Sequence, residues 1–102
     1  MLDKPSRSTA LVVGGGTMGA DVALVLARAG CKTVVTESVD VRRELLPAYF
    51  SQGLKDLGYP QRIDKLSTCS SLADVAWNEV DLVIECIPER LDIKPAPTCS
   101  RL

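Results

Sequence analysis

The chain has 102 residues, which is enough for one domain with its own core and too few for two. Its 46% hydrophobic and 25% charged residues are the balance of a soluble globular protein and exclude a disordered or fibrous chain. A formal net charge of -1, with Lys and Arg scattered along the sequence, leaves no footprint for tracking phosphates, so no DNA or RNA partner is expected.

Residues 1–9 are polar and contain Pro5, and read as a flexible lead with order beginning near Thr9. Ala10-Leu11-Val12-Val13 is a continuous apolar run ended by glycines, as in a strand covered on both faces of a parallel sheet. From Thr17 to Ala29 the polar residues Thr17, Asp21 and Arg28 share one narrow arc at helical spacing, which predicts a mostly buried helix closed by Gly30. Lys32-Thr33-Val34-Val35-Thr36-Glu37 is β-branched and follows closely, as a right-handed crossover to a parallel neighbour requires.

Asp40 is the expected cap of a second helix through Leu45, Leu46, Tyr49, Phe50 and Leu54 to Gly58, stopped by Pro60 and kinked or delayed by Pro47. Leu66 to Cys69 reads as a brief edge strand, and Ser71-Leu72-Ala73-Asp74 as the capped start of a one- or two-turn helix, with Trp77 covering the sheet beside it. Asp81-Leu82-Val83-Ile84-Glu85-Cys86-Ile87 is the fourth strand. Lys94-Pro95-Ala96-Pro97 resists helix and strand alike, so residues 95–102 are expected to form an irregular tail after a domain spanning 10–94. Alternating strands and helices give an α/β, Rossmann-like parallel sheet of about four strands with flanking helices, an incomplete doubly wound fold.

Cys31, Cys69, Cys86 and Cys99 show none of the paired spacings of a zinc site or redox dithiol, and no metal is expected. The longest clearly apolar stretch, Val22 to Ala27, falls far short of the roughly 20 residues that cross a bilayer, and no secretory h-region opens the chain. The expectation is a cytoplasmic protein without a membrane partner. The ending Ser100-Arg101-Leu102 resembles the peroxisomal address Ser-Lys-Leu and makes the peroxisome the alternative compartment.

Gly14, Gly16 and Gly19 fit G-x-G-x-x-G directly after a strand and at the opening of a helix. Gly14 permits the tight turn, Gly16 lets a pyrophosphate approach the backbone, and Gly19 lets helix and strand pack closely. The unpaired amides of the helix's first turn and its positive dipole end favour that anion without a lysine. Glu37, 18 residues after Gly19 and at the end of the second strand, is placed to accept hydrogen bonds from the adenosine ribose hydroxyls. A 2′-phosphate would be repelled there, which favours NAD over NADP, although Arg42 and Arg43 leave room for NADP.

Val12-Val13-Gly14-Gly15-Gly16-Thr17-Met18-Gly19-Ala20, with Asp81 to Lys94 downstream, resembles the NAD-binding domain of the 3-hydroxyacyl-CoA dehydrogenases, from about Ala10 to Lys94. The resemblance implies oxidation of a 3-hydroxyacyl-CoA to the 3-ketoacyl-CoA, or the reverse, with NAD as the hydride carrier. It implies that Gly14, Gly16, Thr17, Met18 and Gly19 border the pyrophosphate, that Glu37 takes the place of the family's ribose-binding Asp, and that Glu89 and Lys94 match cofactor-contacting positions.

The sequence also departs from that family. Asp21 stands where a glycine is common, with a carboxylate that either disturbs cofactor approach or points to solvent. The stretch between Glu37 and Leu66 is shorter than the family's helical excursion, which helps hold the CoA. The family's catalytic His and its Glu partner, and the helical substrate domain, match nothing in these residues; the chain contains no histidine. No residue is assigned a catalytic role, and the expectation is NAD(H) binding without turnover by the isolated chain, with a separate C-terminal helical substrate domain or a homodimer as partner. A truncated, spliced or frameshifted product would end this way. Two other readings stay open: a fragment of a 3-hydroxyisobutyrate or phosphogluconate type dehydrogenase, which also uses G-x-G-x-M-G, and a non-catalytic nucleotide-binding or interaction module using an exposed sheet edge and face.

Overall fold

A computed structural model describes residues 8–14, 16–87 and 90–95. Their elements, in chain order, are β1 (Thr9–Val13), α1 (Thr17–Arg28), β2 (Lys32–Thr36), α2 (Asp40–Asp56), β3 (Leu66–Cys69), β4 (Leu82–Ile87) and β5 (Arg90–Pro95). Short 3₁₀ turns cover Pro60–Lys65, Leu72–Asp74 and Trp77–Glu79.

The sheet runs β3-β2-β1-β4-β5. The first four strands are mutually parallel, as the alternation of strands and helices predicts, and β5 returns antiparallel along β4. This fifth strand is a correction to the sequence reading, in which Lys94 and Pro95 fit neither helix nor strand. A proline without an amide is tolerated at the end of an edge strand, and Pro95 takes that place opposite Leu82.

Residues alternate across the sheet with a period of two, and each face has its own core. Ala10 and Val12 of β1, Val35 of β2, and Leu82 and Ile84 of β4 meet Ala20, Ala23, Leu24 and Ala27 of α1 and Leu46, Phe50 and Leu54 of α2. On the opposite face Leu11 and Val83 meet Val75 and Val80, with Val13, Val34, Cys69 and Trp77 packed around them. Trp77 covers the sheet there as expected, and its indole Nε1–H donates to the Leu72 carbonyl at 3.0 Å. Among the described residues, the face away from the helices is covered by the segment of 3₁₀ turns between Leu72 and Val80.

Both helices end in the same way. Gly30 (φ 93) and Gly58 (φ 86) take the left-handed conformation that a side chain disfavours. Cys31 N–H then reaches back to the Leu26 carbonyl at 3.0 Å and Tyr59 N–H to that of Leu54 at 2.8 Å, which completes a Schellman cap on each.

The start of α2 differs from the sequence expectation. Val39, not Asp40, is the capping residue, and the acceptor near it comes from upstream: Glu37 Oε2 receives the Val39 amide at 3.0 Å. Pro47 neither delays nor ends the helix, which begins at Asp40 and continues to Asp56. Pro47 is exposed and removes only the one bond its amide would have given, whereas Leu46, Phe50 and Leu54 bury that side of α2 against the core. Among the described residues no helix is long and apolar enough to cross a membrane.

Candidate functional site

The strand order reverses at β1, with β2 on one side and β4 on the other, and in open α/β sheets ligands bind beyond the carboxyl ends of the strands at such a point. The glycine motif lies there. Gly14 leaves β1 at φ 96, and its amide donates to the carbonyl of Thr36 at 2.9 Å. A Cβ at Gly14 would lie 3.0 Å from the Cys86 carbonyl oxygen, so the turn is wedged between the ends of β2 and β4. Positive φ and close approach both select glycine at this position.

Gly19 and Gly16 are glycines for opposite reasons. A Cβ on Gly19 would fall 1.9 Å from the Gly14 carbonyl oxygen, so the closeness of helix and turn depends on having none. At Gly16 a Cβ would meet nothing within 4 Å. Gly16 caps α1 in extended conformation (φ -67, ψ -177) without a side-chain bond, and Thr17 and Met18 open the helix. The first turn of α1 therefore presents backbone amides at a place where space is open, which is the cradle an anion requires. No Cβ at Gly16 narrows the approach of an anion to those amides.

Glu37 follows β2 directly and is held by hydrogen bonds at its amide, its carboxylate and its carbonyl. Its amide donates to the Cys69 carbonyl at 3.0 Å, its carboxylate accepts from Val39, and its carbonyl accepts from Arg43 Nη1 at 2.8 Å. Only 6% of it is exposed, so it is no solvated acid at a strand end. The Arg43 guanidinium also reaches Asp40 Oδ1 at 2.5 Å. Arg43 therefore braces the loop carrying Glu37 and the first turn of α2.

The predicted residues do not all converge. Gly14, Gly16, Met18 and Gly19 form one turn, and the Gly14–Thr36 bond places that turn one residue from Glu37. Lys94 lies on β5 opposite Val83, two positions back from Glu85, the partner of Val13 at the end of β1. Glu89 lies outside the described residues. Sequence reasoning passed over Thr36, which is buried and supplies the carbonyl that fastens the turn, because a backbone acceptor leaves no mark on residue type. It also missed the partner of Asp21: the Tyr49 hydroxyl of α2 donates to Asp21 Oδ1. That carboxylate neither covers the turn nor points freely to solvent.

Cys86 sits beside the turn on β4, and burial pushes its thiol above the usual range. A cavity of about 220 Å³, bordered by Thr9, Lys32, Val34, Ser67, Cys69 and Glu79 among others, contains none of the predicted cofactor residues. Among the described residues no group of three potential ligands is placed to hold a metal ion.

Comparison with known proteins agrees with this fold. The chain is similar in structure to a diketoreductase described for the substrate-directed dual catalysis of dicarbonyl compounds, with a TM-score of 0.67 and 22% identity over 82% of this chain and 33% of that one. It is also similar to M. tuberculosis FadB2, with a TM-score of 0.64 and 27% identity over 82% of this chain and 32% of that one. The chain thus spans about a third of the length of these solved structures. Comparison with curated proteins gives no match. The family model described as the 3-hydroxyacyl-CoA dehydrogenase NAD-binding domain matches residues 9–98, and the chain therefore belongs to that family, with NAD as its cofactor.

Proposed function

We propose that NAD(H) lies across the carboxyl ends of β1 and β2, with its pyrophosphate on the first-turn amides of α1 and its adenosine ribose toward Glu37. Gly14, Gly16, Thr17, Met18 and Gly19 form the pyrophosphate border in this reading. Glu89 and Lys94 join it on the family resemblance alone. The observation that carries the proposal is the Gly14–Thr36 hydrogen bond at 2.9 Å, because it ties the glycine turn after β1 to the end of β2, one residue before Glu37.

NAD supplies a hydride acceptor when bound; this chain's own groups bind and orient it. The activity we propose for the whole protein is oxidation of a 3-hydroxyacyl-CoA to the 3-ketoacyl-CoA, carried out where this domain faces a helical substrate domain. Removing the hydroxyl proton calls for a base, and we assign that base to the substrate domain, because no side chain described at the glycine turn is disposed to accept it.

Calorimetric titration of the chain with NAD and NADP, repeated with Glu37→Ala, tests the site. Saturable NAD binding with NADP at least about tenfold weaker is expected, the gap narrowing in the variant as the carboxylate that repels a 2′-phosphate is removed. A folded wild-type chain without saturable NAD binding would overturn the reading.

A further inference from the structure

Asp21 is the fifth residue of α1 and shares its exposed stripe with Met18 and Val25. Three residues, about 4.5 Å of helix axis, separate it from Met18 in the first turn. Side chains on a helix lean toward its N-terminus, so the default direction of this carboxylate is toward the first-turn amides. Those amides attract a carboxylate for the same reason that they attract a phosphate. Left to itself, Asp21 would compete with an anionic ligand or repel it across a distance shorter than the Debye length of about 8 Å at physiological salt.

The fold provides a restraint. Tyr49 projects from α2, and its hydroxyl donates to Asp21 Oδ1, so the carboxylate is drawn sideways to the α1–α2 flank. The two residues are 28 apart in sequence and meet only because Leu46, Phe50 and Leu54 of α2 pack in one core with Ala20, Ala23 and Leu24 of α1. Tyr49 is otherwise well exposed, at 43%, so burial does not account for its position. The bond to Asp21 also holds the phenol above the usual tyrosine range, as a hydroxyl donating to a carboxylate does.

We infer that Tyr49 is a positioning residue for the cofactor site, one that holds the Asp21 carboxylate against α2 and so keeps its negative charge off the helix end that receives the pyrophosphate. The inference rests on the proposed placement of NAD at the glycine turn. It predicts that Asp21 costs affinity only when Tyr49 cannot hold it.

The test is calorimetric titration with NAD at low and high salt for the wild-type chain, Tyr49→Phe, Asp21→Asn and the double variant. Tyr49→Phe should weaken NAD by about two- to fivefold at low salt, with the loss shrinking as salt screens the carboxylate. Asp21→Asn should bind at least as tightly as wild type, and the double variant should match Asp21→Asn. Wild-type binding with an unchanged Tyr49→Phe would overturn this inference and leave the cofactor site standing. A double variant as weak as Tyr49→Phe would assign the loss to helix packing and overturn it as well. Absence of NAD binding by the wild type would remove both.

A cofactor-free readout checks the bond itself. With Tyr59→Phe leaving Tyr49 as the remaining tyrosine, phenolate absorbance should appear at lower pH once Asp21→Asn is added. An unmoved titration would mean that the bond does not form in solution, and the inference would fall.

Discussion

Gly19 passes so close to Gly14 that a Cβ on the first would lie 1.9 Å from the carbonyl oxygen of the second, while a Cβ on Gly16, three residues earlier, would touch nothing within 4 Å. One motif therefore contains a residue that builds the fold and a residue that keeps a surface open.

The two roles separate experimentally. Gly19→Ala forces backbone against backbone and should destabilise the chain by about 3 kcal/mol or more, seen as a lower urea midpoint. Gly16→Ala should change stability by less than about 1 kcal/mol while abolishing NAD binding by calorimetry. Equal loss of stability in both variants would refute this division.

Alkaline pH should weaken the fold through its thiols. Burial is the first cause that lifts Cys31, Cys69 and Cys86 above the ordinary value of 9.0. A folded pKa above the unfolded one favours the protonated thiol in the native state, so this contribution is complete below about pH 9 and is lost as pH rises toward the folded values. Urea midpoints between pH 8 and 10.5 should fall, and Cys31→Ala, although less stable overall, should fall less steeply. Parallel slopes would rule out Cys31 as a source.

Replacing Pro47 should stabilise the protein. The proline is exposed and inside α2, where its missing amide leaves the Arg43 carbonyl without its helical donor. Pro47→Ala restores that donor and should add about 1–2 kcal/mol after the greater freedom of the unfolded chain is counted. A lower urea midpoint would show that the proline contributes something the helix geometry does not reveal.

What the sequence revealed depended on how local the physics is. The glycines at 14 and 19 were legible because positive φ and close approach restrict residue type directly, and β1, β2 and β4 because apolar and β-branched runs mark strands buried in a parallel sheet. Glu37 was legible as an acid ending a strand but not as a buried group bonded to Val39, because side-chain direction leaves no trace in spacing. Asp40 has the residue type of a helix cap, yet it stands inside the first turn of α2, where it pairs with Arg43, and Val39 caps the helix without a side-chain bond. The Asp21–Tyr49 bond was out of reach altogether, since it depends on how two helices cross. Lys94 and Pro95 were misread because an antiparallel edge strand needs only a neighbour to pair with, not a hydrophobic pattern of its own.

The partner of β1 on its far side is β4, which joins Ala10 to Leu82, and the same seam is fastened by Asp81 N–H on the Thr9 carbonyl at 2.8 Å and Thr9 N–H on Asp81 Oδ2 at 2.9 Å. Closing a loop of that length is an entropic toll on the search for the native state, and pairings so distant along the chain slow it. The Cys86 carbonyl that walls the glycine turn comes from the same late-emerging strand. During synthesis, then, the wall beside the glycine turn is incomplete until β4 has left the ribosome, and β5, which pairs with β4, emerges later still.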